Sequence, residues 1–284
     1  MKQRHTAGGI VSLIGALVGI VGVFAAFLLS YQPMMDAKVA VGRPDEALII
    51  RYAIPFLSDV GIASGVIWAV AAYGFFGKRP WAWTLAVIAN VMTLLAGFFS
   101  MIPAVIEGLF PTFIVVFAPG LVTYFLLLAY VRRLDGRIIA LSLLSGMAYI
   151  TAFMNGVAST DKIILYGDPL VIALQRLNWF AAAGWGVFTV GLLNRKTWVK
   201  PLGLGAGLMT LVAGVPLAIA STIEEGRLSL FSPAPLLALA VLAVLLIPAG
   251  RRLVKQWTEN QPGAVHGPAR ATVAPRCEDR RLEP

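Results

Sequence analysis

Long apolar runs separated by short charged segments dominate the chain. Each run is close to the 20 residues that cross a bilayer core of about 30 Å as a helix. The runs are continuous and do not alternate with polar positions, which argues against a β-barrel. Because backbone groups in lipid must be hydrogen-bonded internally, each run is predicted to be a helix. The pattern predicts eight spans, at 9–30, 53–76, 82–106, 112–131, 138–157, 173–193, 201–221 and 234–250.

The segments between the runs differ in length. Three of them, at 77–81, 132–137 and 194–200, are short, so the flanking spans are predicted to form antiparallel hairpins. Two others, at 31–52 and 158–170, are long and are predicted to be external loops. The tail from about Gln256 is rich in Pro and Arg and has no apolar periodicity, which predicts disorder.

One segment repeats at an offset of 117 positions. Placed without a gap on residues 185–224, residues 68–107 match in Trp, in basic pairs and in Glu, and not only in apolar positions. Four spans return the chain to the side where it began, so the two halves are parallel. The fold class predicted is therefore an all-α integral membrane protein of eight transmembrane helices in a 4+4 parallel tandem repeat. Its parts are repeats at 1–137 and 138–255 and a disordered cytoplasmic tail at 256–284. Convergence of both halves on one design remains an alternative to duplication.

The charge distribution sets the predicted orientation. Only 13% of the residues are charged, against about 25% in soluble domains. With the N-terminus in the cytoplasm, 17 of the 23 Lys and Arg residues fall on the cytoplasmic side, as the positive-inside rule requires. The prediction is a multi-pass plasma (inner) membrane protein with both termini cytoplasmic. A basic face beside anionic lipid explains the net charge of +9 without nucleic acid.

Residues that carry common enzyme chemistry are scarce. The only histidines, His5 and His266, lie outside the spans, and Cys277 is the only cysteine. A bis-histidine haem site, a zinc site and a Ser-His or Cys-His nucleophile are therefore excluded from the membrane. No catalytic residue, metal or cofactor is predicted, and the chain is not expected to be an enzyme. Lipid or polyprenyl chemistry on the external acids is the third alternative.

Five side chains within the spans are candidates for ligand binding. Ionisable residues within a span are costly and often functional, and the repeat places Asp59 and Arg176 at equivalent positions. An ion pair is one interpretation, and placement at the lipid headgroups is the other. Trp68 and Trp185 are also equivalent and fall near mid-membrane, where they either wall a cavity or pack in a core. Asn90 in the middle of a span either binds a ligand or bonds a neighbouring helix.

The basic, Trp-containing segment at 74–97 resembles a hairpin common in uncharacterised bacterial four-helix membrane proteins, and 191–214 is a weaker version. The resemblance implies no catalytic or binding residue. The first hypothesis is an accessory or structural membrane protein that acts through helix contacts. Its predicted partners are the lipid bilayer and a homo-oligomer or larger membrane complex. The alternative is a small-molecule or lipid transporter with a site on a pseudo-two-fold axis between the halves.

Overall fold

The computed structural model describes residues 4–167 and 169–259, which form helices joined by short turns and contain no strand. A π-helical segment, Val18–Gly22, lies within the first helix, and another, Leu126–Val131, ends the fourth. The helices described are α1 (His5–Ala40), α2 (Pro44–Phe76), α3 (Ala82–Ile106), α4 (Ile114–Val131), α5 (Gly136–Tyr166), α6 (Pro169–Leu193), α7 (Val199–Glu225), α8 (Pro233–Leu246) and α9 (Pro248–Glu259).

The helices are those of a multi-pass membrane protein. Within the described ranges, six helices are long and apolar enough to cross a membrane, namely α1 to α5 and α7. A seventh is added if α8 and α9, which are bent by 76° from each other, count as one span. The predicted count of eight is not confirmed, because α6 is not as apolar as the other long helices. The first half of this 25-residue helix carries Gln175, Arg176 and Asn178, which make it more polar.

The prediction of two long external loops is wrong. The segment 31–52 is almost wholly helical, because α1 continues to Ala40 and α2 begins at Pro44. Gly42, with φ at 73°, makes the turn between them. The segment 158–170 likewise belongs mostly to α5, which ends at Tyr166. Apolar runs mark the thickness of the bilayer, whereas these helices continue beyond it because Met34 and Ile50 pack in a shared core.

Two four-helix bundles make up the molecule. Helices α1 to α4 pack around one another, and α5 to α8 do the same, each in up-and-down order. Small residues allow the closest approaches, and a side chain on Gly19 would meet the backbone of Gly65. Gly203 and Gly207 on α7 likewise lie against side chains of their own bundle. These glycine pairs serve packing within a bundle.

The two bundles meet head to tail. Helix α3 packs against α5 and α6, and α2 packs against α5. A two-fold arrangement would also place α7 against α1 and α2, but α7 makes at most marginal contact with the first bundle. The seam therefore uses different faces of the two bundles and differs from the pseudo-two-fold seam expected from the sequence. A parallel repeat requires only a rotation about the membrane normal, and a half-turn is one case among many.

Candidate functional site

The two equivalent tryptophans lie in the interiors of separate bundles. Both side chains are fully buried, Trp68 in the core of the first bundle and Trp185 in that of the second. The Trp68 Nε1 donates to Thr93 Oγ1 at 3.1 Å, and the Trp185 Nε1 donates to Thr210 Oγ1 at 2.9 Å. Each indole N–H is therefore satisfied by a threonine 25 positions later. The structure does not bring the two rings together across a cavity.

The basic turns that follow these tryptophans have the same geometry. Lys78 and Arg195, at the 117 offset, both adopt left-handed backbone conformations, with φ of 54° and 56°. Gly74 lies against the ring of Trp81, and the pair 117 positions later, Gly191 and Trp198, repeats this contact. Two hairpins therefore share their main-chain path as well as their sequence.

Asn90 ties two helices of the first bundle together. Its Nδ2 donates to the carbonyl oxygen of Gly120 and to Thr123 Oγ1, both at 3.0 Å. These bonds hold α3 against α4 beside Pro119, whose ring removes one backbone donor. The Asn90 Oδ1 is buried without a hydrogen-bond partner. This residue makes the interhelical bond that the sequence offered as the alternative to ligand binding.

Asp59 and Arg176 lie on the outer surfaces of their helices. Both side chains are exposed, Asp59 on α2 and Arg176 on α6. No ion pair joins these two described residues. The five candidates are thus divided between two bundle interiors and the surface.

A partly buried cluster of charges, which the sequence did not single out as a site, closes the first bundle at the end away from the basic turns. Lys38, 6% exposed, lies with its Nζ 2.5 Å from Glu46 Oε2 and 2.7 Å from Glu107 Oε1. Arg43 lies 3.3 Å from Glu46 and 3.5 Å from Glu107. The Glu107 Oε1 is within ion-pair distance of Lys38, but the angles between the two groups are not those of a hydrogen bond. We name Lys38, Arg43, Glu46 and Glu107 the outer ion cluster. The cluster could be predicted only if α1 were known to continue to Ala40, and the hydropathy pattern does not indicate that continuation.

The space between the bundles beside the outer ion cluster is apolar. A cavity of 160 Å³ is bordered by three polar side chains, Lys38, Glu46 and Asn155, and otherwise by apolar side chains of α2, α3, α5 and the α7–α8 turn. A wider groove of 370 Å³ adjoins it and shares Ile49, Ala53 and Val157 as lining. Such a lining suits hydrocarbon and provides few partners for a polar solute.

The face of α3 that meets the second bundle is a regular stripe. The Thr84 Oγ1 donates to Asn194 Oδ1 at 2.7 Å across the seam, and the Phe99 ring meets that of Phe153 edge on, with centroids 5.8 Å apart. Leu95 between them is 3% exposed. We name this face the α3 stripe. It consists of Thr84, Ile88, Val91, Leu95, Phe99 and Ile102.

The equivalent face of α7 has no such cover. Adding 117 to each position of the α3 stripe gives the α7 stripe, and all six of its residues are exposed. Val212, which corresponds to the buried Leu95, is 61% exposed. A side chain on Gly205, which corresponds to Ile88, would meet nothing within 4 Å. The α7 stripe consists of Pro201, Gly205, Leu208, Val212, Pro216 and Ile219.

Several cations at the basic end of the molecule pack on aromatic rings. The Arg195 guanidinium lies 3.9 Å from the centroid of Trp257, and that of Arg132 lies 5.0 Å from that of Trp83. Burial lowers the pKa of Arg132, and the nearby charge of Arg195 lowers it further. These cation–ring contacts pack the arginines of the basic turns against the helices.

In comparisons with known proteins, no family model, curated protein or solved structure matches the chain.

Proposed function

We propose that this chain is an accessory or structural integral membrane protein whose α7 stripe binds a second copy of the chain. The observation that carries the proposal is the difference between two faces 117 positions apart. In the α3 stripe Leu95 and Phe99 are buried and the other four residues are half-buried, whereas all six residues of the α7 stripe are exposed. The proposed form is eight membrane helices in a 4+4 parallel repeat, in the plasma (inner) membrane with both termini cytoplasmic. The paired Trp–Thr bonds and the matching turns support the repeat, and the Lys and Arg distribution supports the orientation.

The seam within one chain indicates which surface would cover the α7 stripe. Helices α5 and α6 cover the α3 stripe, and their counterparts in the first bundle are α1 and α2. Ala183 and Val187 of α6 line the open groove beside the α3 stripe, and both are themselves exposed. Their equivalents on α2, Val66 and Val70, are 52% and 45% exposed. The α1–α2 face of a second copy therefore offers the surface that the α7 stripe lacks.

Contact between such faces in lipid depends on close packing, because lipid tails are as apolar as the side chains. The α7 stripe favours it, since Gly205 and two prolines leave room for a neighbouring helix. Repetition of a head-to-tail contact gives a closed ring if its rotation closes and an open row if it does not.

The transporter alternative has less support. Its five residues are divided between bundle interiors and outer surfaces, and the two tryptophans have threonine partners. The spaces between the bundles in the described residues are lined mainly by apolar side chains. A polar solute would find few hydrogen-bond partners there.

Cross-linking in native membranes tests the proposal. Two versions of the chain, both carrying Cys277→Ser, are expressed together, one with Leu208→Cys and the other with Val70→Cys. Within a chain, the equivalents of these positions are Val91 and Val187, which line the same groove. Mild oxidation is expected to give an adduct of twice the chain mass that needs both cysteines.

The matched control replaces Val70→Cys by Val122→Cys on α4, which is also exposed, at 58%. The adduct yield of this control measures cross-linking by random collision in the membrane. If the Leu208–Val70 pair gives no more adduct than the control, a second copy is not the partner of the α7 stripe.

A further inference from the structure

The last helix turns away from the bundle at a proline. Helix α8 ends at Leu246, and Ile247 is extended, with φ of −64° and ψ of 139°. A residue before proline is driven out of the helical region, so Pro248 starts a new helix in a new direction. The 76° bend means that α9 runs along the membrane surface if α8 crosses the membrane.

One side of α9 is fixed to the second bundle. Val254 and Thr258 are buried, and the Trp257 Nε1 donates to the carbonyl oxygen of Leu192 at 2.7 Å. The Arg195 guanidinium covers the other side of the Trp257 ring. The bond to Leu192 joins α9 to the end of α6, so α9 has a defined position relative to the bundle.

A concave, basic space of 480 Å³ lies between α9 and the start of α7, and Val254 and Thr258 form part of its lining. Lys200 from α7 and Arg251, Arg252 and Lys255 from α9 surround it, together with the single carboxylate of Glu259. Lys255 and Glu259 are 3.9 Å apart and largely exposed, so this pair neutralises little of the charge. The space therefore has a net charge of three positive units. We name it the α9 basic pocket.

The α9 basic pocket differs from the other basic residues at this end. Arg4, Arg132 and Arg195 each lie over an aromatic ring, where they serve packing. In the pocket, Arg252 Nε donates to the carbonyl oxygen of Pro248 at 3.4 Å, and Arg251 and Lys255 are exposed to the open space. Leu246 and Ile247, both more than half exposed, place hydrocarbon beside it. A ligand with a negative head and an apolar body matches both features.

We propose that the α9 basic pocket binds the phosphate headgroup of an anionic phospholipid, with the acyl chains lying along α8. Basic pockets at the cytoplasmic ends of membrane helices suit such headgroups, because phosphate oxygens accept several charged hydrogen bonds at once. The proposal needs one copy of the chain and does not depend on the α7 stripe, so it stands or falls separately from the proposed function.

Native mass spectrometry of the detergent-solubilised full chain tests the proposal. Phosphatidylglycerol, phosphatidylcholine and inorganic phosphate are added in separate titrations. The test variant is Arg251→Gln, Arg252→Gln and Lys255→Gln together. The control variant, Arg79→Gln, Arg137→Gln and Lys196→Gln, removes the same charge from exposed positions outside the pocket. A third variant, Arg251→Lys, Arg252→Lys and Lys255→Arg, keeps the charge.

The wild type is expected to retain phosphatidylglycerol in preference to phosphatidylcholine. The pocket variant should bind it at least tenfold more weakly, while the control and charge-keeping variants stay within about threefold of wild type. Equal retention of the two lipids, or equal loss in the pocket and control variants, would overturn the proposal. If inorganic phosphate binds to the wild type as tightly as phosphatidylglycerol does, the assignment of the ligand to a lipid is overturned.

Discussion

The α3 stripe and the α7 stripe lie 117 positions apart in the sequence and have different surroundings. Both follow a hairpin with the same left-handed turn and the same Trp–Thr bond. The α3 stripe is packed against the second bundle, whereas the α7 stripe is bare. The comparison teaches that an interface in lipid is not recognisable by apolar character alone. The difference in cover between two corresponding faces is a more specific indication of an interface than their apolar character is.

The outer ion cluster closes the first bundle at the end away from the basic turns. Among the described residues at that end of the second bundle, Asn155 donates its side-chain N–H to the carbonyl oxygen of Phe231 at 3.2 Å. Lys38→Met is expected to lower the free energy of unfolding by about 3 kcal/mol, because it leaves the buried Glu107 with only Arg43 at 3.5 Å. Denaturant titration in detergent measures the change.

A double variant, Lys38→Met with Glu107→Gln, checks that reason. Removal of both charges should recover much of the loss, since a buried pair costs desolvation as well as giving attraction. A loss as large in the double variant as in the single one would show that packing, and not an unpaired charge, explains the effect.

The stripes themselves should respond unequally to the same truncation. Leu95→Ala is expected to cost about 2–3 kcal/mol, because it leaves a hole in the seam. Val212→Ala should change the stability of the detergent-dispersed monomer by less than about 0.5 kcal/mol. Thermal unfolding of both variants at low protein concentration measures the difference, and equal losses would remove the distinction between covered and bare stripes.

Loss of the two Trp–Thr hydrogen bonds should lower the free energy of unfolding by smaller and unequal amounts. The Thr93 hydroxyl meets Ser64 at 2.9 Å as well as Trp68, whereas Thr210 has no serine at the position equivalent to Ser64, which is Ala181. Thr93→Val is therefore expected to cost about 2 kcal/mol and Thr210→Val about 1 kcal/mol, since each leaves an indole N–H unpaired. The comparison uses denaturant midpoints, and the reverse order would contradict it.

The smallest effect is expected at a glycine of the bare stripe. Gly205→Ala should raise the free energy of unfolding by about 0.5 kcal/mol, because open space surrounds the new methyl group and alanine favours the helix over glycine. Gly207→Ala is the matched control on the same helix, since its methyl group would meet Leu242 and should cost about 1 kcal/mol. Similar melting temperatures for the two variants would show that α7 packs differently.

Much of the helical pattern follows from the sequence, because a bilayer demands long apolar helices and basic residues mark their turns. The turns at 77–81 and 194–200 lie where the charges predicted them. The helix ends on the other side were missed, since hydropathy reports the edge of the lipid and not the end of the hydrogen-bonded helix. Pro44 permits a helix start there and does not require a loop.

The candidate residues were harder to interpret from the sequence. The buried positions of Trp68, Trp185 and Asn90 agree with the packing alternative offered for each, but their partners come from other helices. The relation between the bundles could not be predicted, because lipid-facing and bundle-facing side chains are both apolar. The tail was predicted to be disordered from residue 256, but residues 256–259 are helical and end α9. The rest of the predicted tail, 260–284, lies outside the described residues.

The connection between the bundles is only the short turn from Arg132 to Asp135. A tether this short holds the α3 stripe and its cover at an effective concentration in the millimolar range, independent of how much protein the membrane contains. The same contact between separate copies has no tether. Its occupancy therefore depends on how densely the copies are spread in the plane of the membrane, and dilution into excess lipid would dissociate them while leaving every individual chain intact.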